Sequence, residues 1–187
     1  MAKSVKLIFL GPPGAGKGTQ ASLLAELHKI PHISTGEILR AAIKNKTSLG
    51  VKAQGFVDRG ELVPDNLILD LIRERLQQPD VSNGWILDGF PRNVAQAEFL
   101  EKLLSELDQD CDHALNLEVD DSVLIQRLLG RGRKDDNKST ITRRLDVYRE
   151  QTAPVIEFYK QRELLVSVNG DQALDDVTSD LQSKISV

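Results

Sequence analysis

The run GPPGAGKGT, Gly11 to Thr19, constrains this chain more than any other stretch, because it lies directly between the apolar run Val5 to Leu10 and the helical pattern Ala21, Leu23, Leu24, Leu27. Strand, glycine loop and helix in that order make a cradle for phosphate. Glycines accept positive φ and turn backbone N–H groups inward, the helix N-terminus favours an anion, and a lysine adds a point charge. The spacing G-x-x-x-x-G-K is complete from Gly11 to Lys17. The next place, where the pattern has Ser or Thr, holds Gly18, with Thr19 one residue later, so the loop alone does not supply a hydroxyl ligand for Mg²⁺ after the lysine. A plain strand-to-helix turn would rarely need these glycines and a lysine together.

With 187 residues the chain fits one domain with a sizeable core and room for small mobile insertions. Its 24 basic and 28 acidic residues give a net charge of −4, which argues for solubility and against coating nucleic acid. Cys111 is the only cysteine, so an intramolecular disulfide and a cysteine zinc site are excluded, as suits a reducing cytosol, and its expected role is small buried packing. His28, His32 and His113 lack zinc-ligand spacing and are expected in packing or at the surface. The run Val5 to Leu10 is too short for a signal-peptide core or a membrane span and serves as the first strand, so no membrane partner is expected.

Strands and helices alternate along the rest. Further strands are predicted at Ile33 within PHIS, at Trp85-Ile86-Leu87, at Ala114 to Val119 and at Leu164 to Val168. Helical spacing joins Leu67, Ile68, Leu71, Ile72 and Leu76, then Phe99, Leu100, Leu103, Leu104 and Leu107, then Val123, Leu124 and Leu128. Ile141, Leu145, Tyr148, Thr152 and Val155 continue the rhythm, with Pro154 kinking or dividing that helix. Repeated strand–helix–strand units predict an α/β fold, a mostly parallel sheet covered on both faces, with ligands at the C-terminal strand ends. Ser34 to Asp65 and the polar Gly130 to Lys138 do not fit the sheet. They read either as surface excursions or as a pair of mobile flaps.

The segment WILDGFPRNVAQAE carries the second set of chemical groups. Asp88 follows three apolar residues and so stands at a strand tip near the glycine loop, where a carboxylate can hold a water on Mg²⁺. Arg92 follows the turn Gly89-Phe90-Pro91, and its planar fork suits phosphate oxygens. Gln96, one helical turn on, offers the donor and acceptor that the N6/N1 edge of adenine needs.

Six motifs, GPPGAGKGTQ, HISTGEILR, GELVPD, LDGFPRNVAQAE, RLLGRGRKDDN and TITRRL, occur here in the order and spacing of one family. From Val5 to Asp176 the chain resembles an adenylate kinase of the short-lid kind, within the P-loop nucleoside monophosphate kinases. The resemblance implies a three-layer α/β/α fold with a five-stranded parallel sheet. It also implies a single kinase domain, residues 1–187, with an NMP-binding insertion at 34–63 and a short lid at 130–136. It implies that Gly14, Ala15, Gly16, Lys17, Gly18 and Thr19 bind ATP phosphates, with Arg127, Arg131 and the backbone near Gln172 also holding ATP. Thr35, Arg40, Glu61, Leu62, Val63, Gly89, Phe90, Pro91, Arg92 and Gln96 would bind AMP, with Arg133 and Arg144 on the transferring phosphoryl group and the AMP side. Lys17, Asp88, Arg92, Arg131, Arg133 and Arg144 then form the expected catalytic set. In this family Lys-Gly-Thr is the normal form of the loop. Mg²⁺ is expected with ATP, held mostly through phosphates and water and not by a protein metal site. The expected enzyme is a cytoplasmic monomer acting on ATP, AMP and ADP. Two features depart from the pattern: Gly132 alone separates Arg131 from Arg133, and Gln172 stands where relatives often have glycine.

The arginines suit the implied reaction. Phosphoryl transfer needs charge placement and in-line geometry more than covalent help, and Lys17 with Arg40, Arg92, Arg131, Arg133 and Arg144 matches the negative charge of two facing nucleotides. No general base is needed, because the accepting phosphate is already ionised. Asp135 and Asp136 are expected to restrain the flap arginines in the closed state, not to act as a base. The flaps would exclude water from the γ-phosphate. A pyrimidine monophosphate kinase, which usually has Asn at the place of Gln96, and a non-catalytic ATP-binding module are the alternative readings.

Overall fold

The computed structural model describes residues 4–185. The chain opens with β1 (Val5–Leu10), α1 (Lys17–His28) and β2 (His32–Ser34). It then makes α2 (Thr35–Lys44), α3 (Ser48–Arg59) and α4 (Asp65–Leu76) before returning to the sheet as β3 (Gly84–Asp88). α5 (Val94–Glu106), β4 (His113–Glu118), α6 (Asp121–Arg131), α7 (Lys138–Val147), α8 (Pro154–Lys160), β5 (Leu165–Asn169) and α9 (Leu174–Ile185) complete it.

The five strands pair in the order β2-β3-β1-β4-β5, all parallel. Both faces of the inner strands are apolar, as a parallel sheet covered on both sides requires. Ile8, Leu10, Trp85 and Leu87 face a cluster with Ile68, Ile72 and Leu76 of α4, Leu100 and Leu104 of α5, and Phe158 of α8. Leu7, Phe9 and Ile86 face the opposite cluster with Leu24 of α1, Leu124 and Leu128 of α6, Leu145 of α7 and Leu181 of α9. The result is the three-layer α/β/α arrangement. Trp85 is fully buried, and its indole N–H donates to Gln109 Oε1 at 3.1 Å, so the large ring leaves no polar atom unpaired.

From β1 the chain passes to β2 and β3 on one side, and the next connection crosses to β4 on the other, so a crevice opens beyond the C-terminal end of β1. The register aligns Phe9 and Ser34 with Asp88, and Leu10 with Asn116, at that end. The glycine loop begins there.

Each predicted strand forms within one residue of its expected bounds. The region Ser34 to Asp65 contains only helices after the end of β2, with Ser34 capping α2 through Glu37 N (3.3 Å) and Thr47 capping α3 through Gly50 N (3.1 Å). One boundary differs from the sequence reading. Gly130 and Arg131 continue α6, because nothing breaks that helix before Gly132 takes φ 75° at its C-cap, so the excursion is shorter than expected. Between α7 and α8 the chain makes a π turn, Tyr148–Thr152, and Pro154 then starts α8, where its missing N–H costs no hydrogen bond. Pro154 therefore divides the helix. Cys111 packs beside the first cluster and donates its S–H to the His113 carbonyl at 3.2 Å; burial, with nearby Asp112, pushes its thiol up to about 12. No helix among the described residues is long and apolar enough to cross a membrane.

Leu87 is fully buried in the central β3. Leu87→Ala should lower unfolding free energy by about 2–5 kcal/mol through lost burial and the cavity left behind. Urea denaturation checks this, and the expected signature is a lower midpoint at an unchanged slope.

Candidate active site

The loop after β1 takes positive φ at Gly11 (138°), Gly14 (83°) and Gly16 (98°), and Gly16 directly precedes α1. Backbone N–H groups of the first turn of α1 therefore face the crevice without a side-chain cap. Lys17 folds back into the loop, its Nζ donating to the carbonyls of Gly11 (2.9 Å) and Pro12 (3.1 Å). Burial lowers the Lys17 pKa to about 8. Asp88 opposes that shift, and the positive charges of Arg92, Arg144 and Arg131 add to it. Gln20, buried beneath the loop, donates to Leu174 O and accepts from Thr178 Oγ1, tying α1 to α9.

Asp88 stands across from the loop: a Cβ added at Gly18 would lie 3.6 Å from its Oδ2. The same oxygen meets His32 Nε2 at 3.3 Å, and His32 Nδ1 meets Ser22 Oγ at 3.3 Å. A carboxylate only accepts, so the ring proton belongs on Nε2 and Nδ1 accepts from the serine. Burial acts to raise the Asp88 carboxyl, but the His32 bond and the charges of Lys17 and Arg92 outweigh it and hold it below the usual range. His32 and Ser22 were missed by the sequence reading, which placed the histidine in packing or at the surface. The only signal was the register of HIS beside ILD.

A cavity of about 630 Å³ opens in front of the loop. Gly14 to Thr19, Arg40, Asp88, Arg92, Arg127, Arg131, Arg133, Arg144 and Gln172 all line it. Two smaller cavities, of about 80 and 70 Å³, adjoin. The first is lined by Thr35, Arg40, Glu61, Leu62, Val63, Gly89, Phe90 and Gln96, and Pro91 lines the second. Arg92 and Arg144 line all three, so they stand where the spaces meet. Arg133 reaches only the large one. Desolvation lowers the pKa of Arg92, with Asp88 opposing and Arg40 adding to the shift. Desolvation and Arg92 bring Arg144 down to about 10, and desolvation with Arg131 and Arg40 lowers Arg133. Each stays charged at neutral pH. The cations crowd one another around space shaped for something strongly anionic.

Backbone and carboxylates hold these cations in place. Arg92 Nε donates to Gly89 O at 2.7 Å, and Thr152 Oγ1 donates to Arg92 O at 2.7 Å. A Cβ at Gly89, where φ is 86°, would lie 2.5 Å from Thr35 Oγ1, so only glycine lets Thr35 approach and donate to Asp88 O. Arg131 makes two bonds to Asp136, at 2.8 and 2.6 Å, and Arg144 Nη1 lies 3.4 Å from Asp135 and 3.3 Å from Asp136. Asp135 and Asp136 thus hold Arg131 and Arg144. Arg127 donates to the carbonyls of Gly170 (3.0 Å), Ala15 (3.4 Å) and Gly14 (3.5 Å), bracing the loop against the turn after β5. The Gln172 side chain is engaged elsewhere, donating to Asn169 O (2.8 Å) and Asp180 Oδ2 (3.0 Å). The end of α3 rests on the start of α7, where Thr140 Oγ1 donates to Asp58 O at 3.1 Å.

Comparison with known proteins agrees with this geometry. The family model for adenylate kinase matches residues 9–164. The chain belongs to the adenylate kinase family. It is 57% identical over 180 residues to adenylate kinase 1 of a Nostoc species, covering 96% of this chain and 98% of that one. It is 53% identical to the adenylate kinase of Trichodesmium erythraeum, covering 97% of each, and 49% identical to that of Leptospira biflexa, covering 96% and 99%. As in other P-loop proteins, the adenylate kinase fold puts the loop at the sheet's switch point.

Because an anion favours charged Lys17, phosphate binding should raise its pKa from about 8. Affinity for sulfate, whose charge is fixed over this range, should then be flat below about pH 8 and fall as the free lysine loses its proton above it, with proton uptake on binding near pH 8.5. Calorimetry in buffers of different ionisation enthalpy measures both.

Proposed function

We propose that this chain catalyses reversible transfer of the terminal phosphoryl group of MgATP to AMP, giving two ADP, and so balances adenine nucleotides in the cytoplasm as a monomer. The carrying observation is that Arg92 and Arg144 line the large cavity at the glycine loop and both smaller cavities. ATP phosphates fit the large cavity on Gly14 to Thr19, with Arg127 and the turn at Gln172 toward adenosine. The cavity of about 80 Å³ beside it is assigned to AMP, with the phosphate toward Arg40 and Arg92 and the base toward Gln96, and it widens to admit the nucleotide.

In this reading the protein supplies position and charge. Lys17, Arg92, Arg131, Arg133 and Arg144 surround the transferring group, where negative charge spreads over the equatorial oxygens as the bond to the leaving oxygen breaks. No side chain takes a proton. Asp88, whose Oδ2 faces both Gly18 of the loop and His32 Nε2, fits water ligands of a Mg²⁺ that would arrive on ATP, and one carboxylate suits an ion held mainly by phosphate and water. Among the described residues no group of three His, Cys, Asp or Glu side chains is placed to hold a metal. That ion neutralises phosphate charge when bound.

Residues 34–63 and 130–136 act as the covers. Releasing Asp136 from Arg131 would free the guanidinium for phosphate, and the pair keeps the short loop folded. Closure excludes water that would otherwise take the phosphoryl group.

Side-by-side assays with AMP, GMP, CMP and UMP as acceptors test the proposal. AMP should be preferred, and equal turnover of CMP or UMP would point to a pyrimidine kinase. Arg92→Ala should lower kcat by about 10³-fold with the fold intact, the scale of an arginine acting on the transition state.

A further inference from the structure

The sequence reading assigned Gln96 alone to the adenine edge, but the structure shows its amide already held at both ends. The backbone N–H of Arg92 donates to Gln96 Oε1 at 2.7 Å, and Gln96 Nε2 donates to Asp65 Oδ1 at 2.7 Å. Gln96 is buried, and its own backbone N–H is fixed by the Asn93 cap at 2.8 Å, so neither end has water as an alternative partner.

These two partners set the direction of the amide. A backbone N–H can only donate, so the atom facing Arg92 must be oxygen; a carboxylate can only accept, so the atom facing Asp65 must be nitrogen. A flipped amide would set N–H against N–H and oxygen against oxygen in a buried place. Asp65 is itself fixed as the first residue of α4, where an acidic side chain also complements the helix dipole.

An amide has two lone pairs on oxygen and two hydrogens on nitrogen, so after these bonds one of each remains. Gln96 lines the cavity given above to the acceptor base. What it offers there is an acceptor and a donor of fixed polarity. Adenine matches, with the N6 amino group as donor and N1 as acceptor. Hypoxanthine reverses both, with O6 as acceptor and N1–H as donor, and differs from adenine only along that edge.

We infer that Asp65 is a specificity-determining positioning residue: together with the Arg92 N–H it locks the polarity of Gln96, and so makes the acceptor site select 6-aminopurine over 6-oxopurine nucleotides. The inference rests on the reading of this cavity as the AMP site. Cytosine carries the same amino and ring-nitrogen pattern as adenine, so the lock accounts for rejection of IMP and not of CMP.

The test compares kcat/KM for AMP and IMP in the wild type, Asp65→Asn and Asp65→Ala, with KM for MgATP and melting temperature measured alongside. An asparagine can face Gln96 with oxygen or nitrogen, and an alanine offers neither, so both changes release one end of the lock. In both variants the AMP:IMP preference should fall by about tenfold or more, the worth of one buried bond to a charged group. The change should appear in KM for the monophosphates, with KM for MgATP unmoved. An unchanged AMP:IMP ratio in both variants, or parallel loss of both substrates, overturns the inference and leaves Asp65 a structural residue. If the wild type itself does not favour AMP over IMP, the assignment of the cavity to AMP fails first.

Discussion

Mutual repulsion among the cations at the crevice is the constraint around which the rest is arranged. Lys17, Arg40, Arg92, Arg131, Arg133 and Arg144 line one cavity, and desolvation together with their neighbours' charges lowers the pKa of Lys17, Arg92, Arg133 and Arg144. No fold assembles such a group without counter-ions. Asp88 balances Lys17 and Arg92 from the strand side, while Asp135 and Asp136 hold Arg131 and Arg144 from the flap side. In the proposed reaction the charge left over would be matched by phosphate. In that reaction Lys17 and Arg92 already face the cavity, while Arg131 and Arg144 exchange their carboxylate partners for phosphate as the covers close.

The sheet makes that placement possible. Its order reverses at β1, so one strand end serves the glycine loop, Asp88 on β3 and Asn116 on β4 at once. Arg92 is carried by the turn after β3, Arg40 by α2 and Arg144 by α7, so three separate excursions from the sheet bring cations to one point. The end of α3 meets the start of α7 through the bond from Thr140 to the Asp58 carbonyl. This contact runs between the region assigned to AMP and the base of the region assigned to ATP.

The parts of this arrangement that depend on neighbours in the chain were legible in the sequence. Alternating apolar segments placed all five strands, and the glycine spacing placed the loop. The convergence of Arg40, Arg92 and Arg144 could not be read from spacing, since they lie far apart in the chain; only the order of the family's motifs implied it. Contacts made across elements stayed hidden. His32 looked like a packing histidine because its partners, Ser22 on α1 and Asp88 on β3, belong to other elements. Asp65 closed a recognised motif, yet its bond to Gln96 spans 31 residues and appears only once α4 and α5 are packed. The end of α6 was misjudged because Gly130 and Gly132 look alike in sequence and only the second has the left-handed backbone that stops a helix.

Titration calorimetry with a bisubstrate mimic, two adenosines joined through five phosphates, tests most directly whether two nucleotides share these cations. The account predicts one mimic per chain, bound at least about 10²-fold more tightly than ATP or AMP alone, because the second half binds at high effective concentration. Two mimics per chain, or one bound no more tightly than ATP, would contradict it.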